Sequence, residues 1–493
     1  MSINRNSDEP QLELADIQGD VLIGLQKDAE LFIGFVILDV PRFKRFLGGL
    51  RITTCLDVKR AELAIKSFKL NGGRDHLDIR GRNVGFTIDG LRKLGAPSLE
   101  LIKDTAFKDG LAKRSEKLND PPTGPGKLAN WLIGNGNGPL DGIFLLTGRD
   151  LATVRAMFAD LVNAAGPGTW LPFFTGEGAT RPSTERGHEH FGYLDGVSQP
   201  AVRGKIDQSV PNQTFLHPSQ SPDPNQGLPG ADLHWPGAFV FGYNTPDRTN
   251  VEKKGPIADG GASWMRNGSL MVYRRLEQLV PEFDAAVRKA VDKLATPADS
   301  LGARIVGRFK SGWPVIRTGT DNAVDGDNKL LNNAFEFGAD DKDGLKCPFA
   351  AHIRKTYPRN DDTVDGNEPD TQTHRVLRAG IPFGPEVQKA EAKAGKSAHS
   401  RGLMFVCYQT SIENQFEFVM RNWVNAKDFA KPGTGEDPVL GQANGASRAR
   451  TVRGLSQAAG GPDLMLTADF IRPTGGGYFF MPSIHAIDTV LSV

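Results

Sequence analysis

The stretch His190-Phe191-Gly192-Tyr193-Leu194-Asp195-Gly196-Val197-Ser198-Gln199-Pro200 sets the reading of this 493-residue chain. An aspartate between glycines is by itself an ordinary turn. Gly138-Pro139-Leu140-Asp141-Gly142 has the same spacing and fits that reading. Context separates the two, because His190-Phe191 leads into the second turn and Val197-Ser198-Gln199-Pro200 leads out of it.

On either side, apolar runs alternate with helical patterns. Leu31 to Val40, Val84 to Ile88 and Gly142 to Thr147 read as strands, with a short helical stretch from Leu91 to Leu94. Asp150 reads as an N-cap; Leu151, Val154, Phe158, Leu161 and Val162 share the face that follows, and Gly166 ends it. Beyond the quoted stretch, Gly237 to Gly242, Leu403 to Tyr408 and Gly477 to Met481 read as strands. Leu276 to Leu294, with Pro281 early, and Ser411 to Trp423 read as helices. Six prolines with Ser, Asn, Gln and Asp between Pro211 and Pro236 mark a linker. Two α+β halves result. The expected division is an N-terminal arm at 1–13, a first domain at 14–210, a linker at 211–236 and a second domain at 237–493. The acidic stretch Thr356 to Thr373 reads as a solvated loop.

Composition excludes several classes. With 59 Lys+Arg against 58 Asp+Glu, the chain has no field to attract nucleic acid or an anionic membrane. Three cysteines exclude a disulfide scaffold or a cysteine-rich metal cluster. No 18-residue apolar run exists to span a membrane, and the polar start carries no secretory signal. The 57 glycines follow no Gly-X-Y period, so collagen is out. GxGxxG opening a helix, GxxxxGK[ST], HExxH and GxSxG are all missing. Gly134 to Gly138 ends in Pro139 and reads as a turn.

Among nine histidines, His188 and His190 have the spacing of one strand face and would need a distant third ligand to hold a metal. Two partly exposed polar residues is the favoured reading. Cys347 and His352 have no further ligand-type neighbour. His352, between Cys347-Pro348-Phe349-Ala350-Ala351 and the basic Arg354-Lys355, suits core packing first, then helix capping or heme ligation.

His190 to Pro200 resembles the GxxDG motif of dye-decolorizing peroxidases. Ile17 to Leu22 is similar to that family's opening strand, Cys347 to Thr356 to its proximal-histidine segment and Arg378 to Gly384 to its distal-arginine segment. Gly307 to Gly312 and Leu403 to Gln409 also match, in order, and the length and insertions resemble the fungal branch.

The resemblance implies a pair of ferredoxin-like α+β domains, each an antiparallel sheet with flanking helices, of the dimeric α+β barrel type. It implies heme b (protoporphyrin IX with iron) in the second domain, with His352 as iron ligand. Asp437 is the expected partner for the other nitrogen of that ring. Asp195 would be the distal acid–base and Arg378 its neighbouring cation; Leu403 and Phe405 would lie over the distal face of the heme. Such a protein would use hydrogen peroxide to oxidise dyes, phenols and other aromatic donors, with an acid optimum. Trp423, in a polar setting that suggests partial exposure, matches a surface oxidation site of fungal relatives, or is an amphipathic Trp at a helix end. Phe383 stands where many fungal members have Tyr. Tyr357 stands where Asn is common, and is an alternative radical site or a loop residue.

The rival classes are a non-catalytic heme-binding or heme-handling protein on the same fold and a non-heme metal enzyme built on His188 and His190. A monomer or weak oligomer is expected. The resemblance favours an extracellular location, with the cytoplasm as the alternative. The sequons at Asn212 and Asn267 add little. One oddity has a candidate meaning: 28 Phe stand against six Tyr and six Trp. Phe is the inert way to pack near an oxidising heme.

Overall fold

The computed structural model describes residues 9–73, 77–205, 226–443, 448–456 and 460–493. The first half supplies strands β1 (Ala29–Ile37), β2 (Gly81–Phe86), β3 (Gly142–Gly148) and β4 (Trp170–Ala179). The second supplies β5 (Ser269–Gln278), β6 (Leu377–Arg378), β7 (Ile381–Phe383), β8 (Gly402–Gln409) and β9 (Ile471–Met481). All pair antiparallel in one sheet of order β6-β8-β5-β9-β2-β3-β1-β4, with β7 also on β8. Each half thus makes a four-stranded core, and the two join through a single register pair, Phe480 with Phe86.

The joined sheet curls until its ends approach. A Cβ on Gly178 of β4 would come within 2.3 Å of the Ile381 side chain on β7, so only glycine fits there. Phe32, Leu145, Tyr273, Met404 and Phe479 fill the interior of this barrel. Helices cover the outside. Among them are α1 (Val40–Gly48), α2 (Cys55–Leu70) and α3 (Leu151–Ala165), then α4 (Val280–Leu294) and α5 (Ala298–Val306). No helix among the described residues is long and apolar enough to cross a membrane.

Local chemistry explains most boundaries. The Asp150 side chain accepts the Thr153 N–H at 2.7 Å, and Gly166 ends α3 at φ 71°. Val154, Met157 and Leu161 face inward on α3; Val162 is exposed. Pro281 falls in the first turn of α4, where its missing N–H costs nothing, so the helix starts at Val280 and β5 runs on to Gln278.

Several expectations are corrected. Gly237 to Gly242 is a buried irregular segment opening with a 3₁₀ turn at Pro236–Ala238, since an apolar run marks burial before it marks a strand. Ile17 to Leu22 holds one bridge, Gln18 to Thr54, and a helical turn at Gly19–Leu22. Asp361, in the stretch read as solvated, is buried against Arg354, and Glu368–Gln372 is helical. Asn267 is buried, donating to Glu13 and Asp16, so its sequon is not presented at the surface. In the expected arm, Glu9 pairs with Arg203 at 2.8 Å. Most of the expected linker, and Asn212, lie outside the described residues. Its last part is structured: Leu233–His234 pairs with Ala201–Val202.

Candidate active site

The second half and the glycine-framed turn enclose a cavity of about 280 Å³, measured as space for the centres of water-sized spheres. Its walls are mainly apolar and include Leu276, Val306, Leu403, Phe405, Phe416 and Val439. Leu403 and Phe405, alternate residues of β8, both reach it, while Met404 and Val406, on the opposite face of the strand, are buried in the barrel.

His352 opens α6 (His352–Thr356) and lines this cavity. Arg354, fully buried, clamps the helix from behind with two bonds to Asp361, at 2.7 and 2.8 Å, and one to Asp341 at 3.0 Å. The His352 Nδ1 lies 2.7 Å from Asp437 Oδ2. The other carboxylate oxygen accepts the Val439 and Leu440 N–H groups at 2.8 and 2.9 Å. A fully bonded, fully buried carboxylate keeps the proton on Nδ1 and leaves Nε2 as the lone-pair nitrogen. Burial alone would lower the His352 pKa; the Asp437 charge and hydrogen bond outweigh it and raise the pKa above the ordinary value. Burial would raise Asp437, and the His352 charge and hydrogen bonds hold it low.

Asp195 and Arg378 line the same cavity. Gly192 and Gly196 both take positive φ, 91° and 72°, which frees the chain to turn sharply on each side of Asp195. The Arg378 Nη1 and the Gly196 N–H donate to Asp195 Oδ1 at 2.9 and 2.6 Å, leaving Oδ2 without a partner among the described residues. Arg378 Nη2 donates to the Ser198 carbonyl at 3.0 Å. Gln199 Nε2 donates to the Arg378 carbonyl at 2.7 Å, tying the turn to β6. About a third of the Asp195 side chain is accessible, and it lines the cavity. Burial pushes its pKa up; Arg378 and the Gly196 N–H outweigh that and hold it below the ordinary carboxylate value.

Trp423 departs from expectation. It is fully buried in the π-helical turn Val419–Val424, stacked on Phe429 at 5.1 Å and edge-on to His374 at 5.5 Å. Its polar sequence neighbours are outward because adjacent helical residues point in different directions. His190 is buried and bonded to the Phe383 carbonyl at 2.8 Å, and His188 meets the Lys310 carbonyl at 3.1 Å. Among the described residues no three His, Cys, Asp or Glu converge as a metal site. Phe383 is buried under the Arg275 guanidinium at 4.0 Å. Tyr357 follows α6 in irregular backbone, as the loop reading expects, and lines the cavity wall.

Sequence reasoning missed Glu189, which lies between the two histidines it weighed. Its buried carboxylate accepts the Phe191 and Tyr193 N–H groups, both at 2.8 Å, and so shapes the approach to Asp195. It also missed Arg375, taken up below. Glu189 bonds within its own turn, which a lone glutamate in sequence does not announce, and the setting of Arg375 against Tyr357 arises only in the fold.

Comparisons with known proteins bear on the family and the fold. Residues 16–182 match the family model described as DyP dimeric alpha+beta barrel domain, and residues 237–432 match that for Dyp-type peroxidase, C-terminal. A dye-decolorizing peroxidase from Mycetinis scorodonius is 35% identical, with 98% of this chain and 88% of that protein covered. One from Auricularia auricula-judae is 31% identical, covering 98% and 87%. A solved ancestral D-type dye-decolorizing peroxidase superposes with TM-score 0.83 at 35% identity, covering 98% of this chain and all of that one. A solved dye-decolorizing peroxidase in complex with 2,6-dimethoxyphenol gives TM-score 0.77 at 31% identity, with the same coverage. The fold and these matches define a peroxidase of the α+β barrel class. The chain belongs to the dye-decolorizing peroxidase family, whose members are heme enzymes.

Proposed function

We propose that this chain holds heme b in the cavity and uses hydrogen peroxide to oxidise dyes, phenols and related aromatic donors. The observation that carries the reading is one apolar cavity lined by an Asp437-backed imidazole and by the Asp195–Arg378 pair. The residues fit the group: His352 Nε2 carries a lone pair, no hydrogen bond holds it among the described residues, and the surrounding walls suit a flat apolar ring. Bound heme supplies the centre that accepts oxidising power from peroxide and draws single electrons from donors.

The protein's own part is proton handling and orientation. Asp195 Oδ2, free of partners, takes a proton from one peroxide oxygen and returns it to the other, which departs as water. Arg378 orients the peroxide and offsets negative charge on the departing oxygen. The lowered Asp195 pKa keeps an ionised acceptor into acid solution, which supports an acid working range. Trp423 has no surface to meet a dye. Edge-on to His374, which lines the cavity, it suits an interior step for single electrons. The 2,6-dimethoxyphenol complex of the relative supports phenolic donors.

An absorption spectrum before and after one equivalent of peroxide tests the reading. A Soret band that changes on peroxide addition is expected, and its absence would overturn the proposal. Asp195→Asn keeps the band and slows the peroxide reaction by about 10²–10⁴-fold; an unchanged rate would remove the role of Asp195.

A further inference from the structure

Five arginines line the cavity: Arg274, Arg308, Arg359, Arg375 and Arg378. Four have partners. Arg274 pairs with Asp120 at 2.6 Å and Arg378 with Asp195 at 2.9 Å. Arg308 donates to the Gly312 carbonyl and to Asn333 Oδ1, and Arg359 to the Gly230 and Phe335 carbonyls. Arg375 is different. It is 8% exposed, its Nε is buried without a partner, and its side chain makes no hydrogen bond or ion pair among the described residues. Its guanidinium carbon lies 3.2 Å from the centre of the Tyr357 ring, and the Tyr357 hydroxyl is likewise buried without a partner. Asp232, the carboxylate felt most strongly by Arg375, accepts from Gln372 Nε2 at 2.9 Å.

A buried guanidinium without an acceptor is costly to keep charged. The shortage of negative charge is local: burial and the neighbouring Arg359 and Arg378 push the Arg375 pKa down to about 9, against the pull of Asp232. Tyr357 ends the segment that begins at His352, and Arg375 precedes Arg378 by three residues. The contact between them is therefore where the His352 wall of the cavity meets the Asp195–Arg378 wall.

We propose that Arg375, with the Tyr357 hydroxyl, is a carboxylate-binding site at this edge of the cavity. The inference rests on the heme reading above. A planar guanidinium accepts a carboxylate through two parallel N–H bonds, and a phenol adds a third donor. Two ligands bring that chemistry, a carboxylate of the heme itself or the carboxylate of an acidic aromatic donor.

The full-length apo chain is titrated with heme and with heme dimethyl ester, followed by the Soret band, as wild type, Arg375→Met and Tyr357→Phe. If the heme carboxylate is the ligand, the wild type prefers heme over the ester by about tenfold or more. Arg375→Met then loses that preference, and Tyr357→Phe loses part of it. If the donor is the ligand, heme and ester bind alike, and benzoate, but not benzamide, binds the loaded wild type and fails to bind loaded Arg375→Met. Neither discrimination in the wild type, or either one intact in Arg375→Met, overturns the site. Thermal melting of the apo chain adds a readout of a different kind. Removing an unpartnered buried charge leaves the apo melting temperature unchanged or raised. If Arg375→Met melts lower and Tyr357→Phe keeps full ligand discrimination, Arg375 is a packing residue and the proposal fails. A wild type that binds no heme sinks the heme reading instead, and benzoate binding to the apo chain still decides the carboxylate site.

Discussion

At Asp195, burial and a neighbouring cation oppose each other. Burial is the larger single influence on its carboxyl, yet Arg378 and the Gly196 N–H together hold the group ionised. The sign follows directly. A base acts above its own pKa, so a low pKa extends its range into acid. Arg378→Leu removes the principal opposing charge and leaves burial in command, and the Asp195 pKa rises. The acid limb of kcat/KM for peroxide is expected to move to higher pH, which a pH profile of both proteins measures. Asp195, His352 and Arg378 were legible because short motifs surround them and resemble a family. Asp437 was expected as the acceptor for the His352 ring, and the structure places its Oδ2 2.7 Å from His352 Nδ1. The partial exposure expected of Trp423 fails, leaving the alternative of a packed Trp, because polar sequence neighbours say little about which way a helical side chain points. The scarcity of oxidisable rings keeps its candidate meaning: of the Tyr and Trp residues, Tyr193 and Tyr357 line the cavity.

At the scale of elements, caps and periods decided most of what could be read. Asp150 and Gly166 bracket α3 as their chemistry requires. Asp150→Ala leaves the Thr153 N–H unpaired and is expected to cost about 1 kcal/mol of stability, measured by urea unfolding. Alternation along β8 correctly put Leu403 and Phe405 on one side. The failures share a cause. Gly237 to Gly242 is apolar because it is enclosed, and enclosure does not choose a backbone conformation. Ser411 to Trp423 was read as one helix; the helical part begins at Phe416 and widens into a π turn through Val424. Side-chain periodicity is too coarse to register that extra residue in the turn.

For the whole molecule, two α+β halves were legible, and their union in one curled sheet was not. Sheet order is set by long-range pairing, and β9 lies between β5 and β2 although it is the last strand in sequence. Its Phe480 makes the only register pair that joins the halves among the described residues, and its Ile471 and Pro473 line the cavity. Ending the chain at residue 470 is expected to abolish heme retention, checked by the Soret band after gel filtration. The placement of β9 also bears on synthesis. A ribosome delivers His352, Arg378 and Asp437 before residues 471–481, so a growing chain carries the proposed heme-site residues for a time without the strand that completes the cavity wall. On the proposed heme reading, cofactor capture thus falls to the last moments of translation or after release, once β9 can pair with β5 and β2.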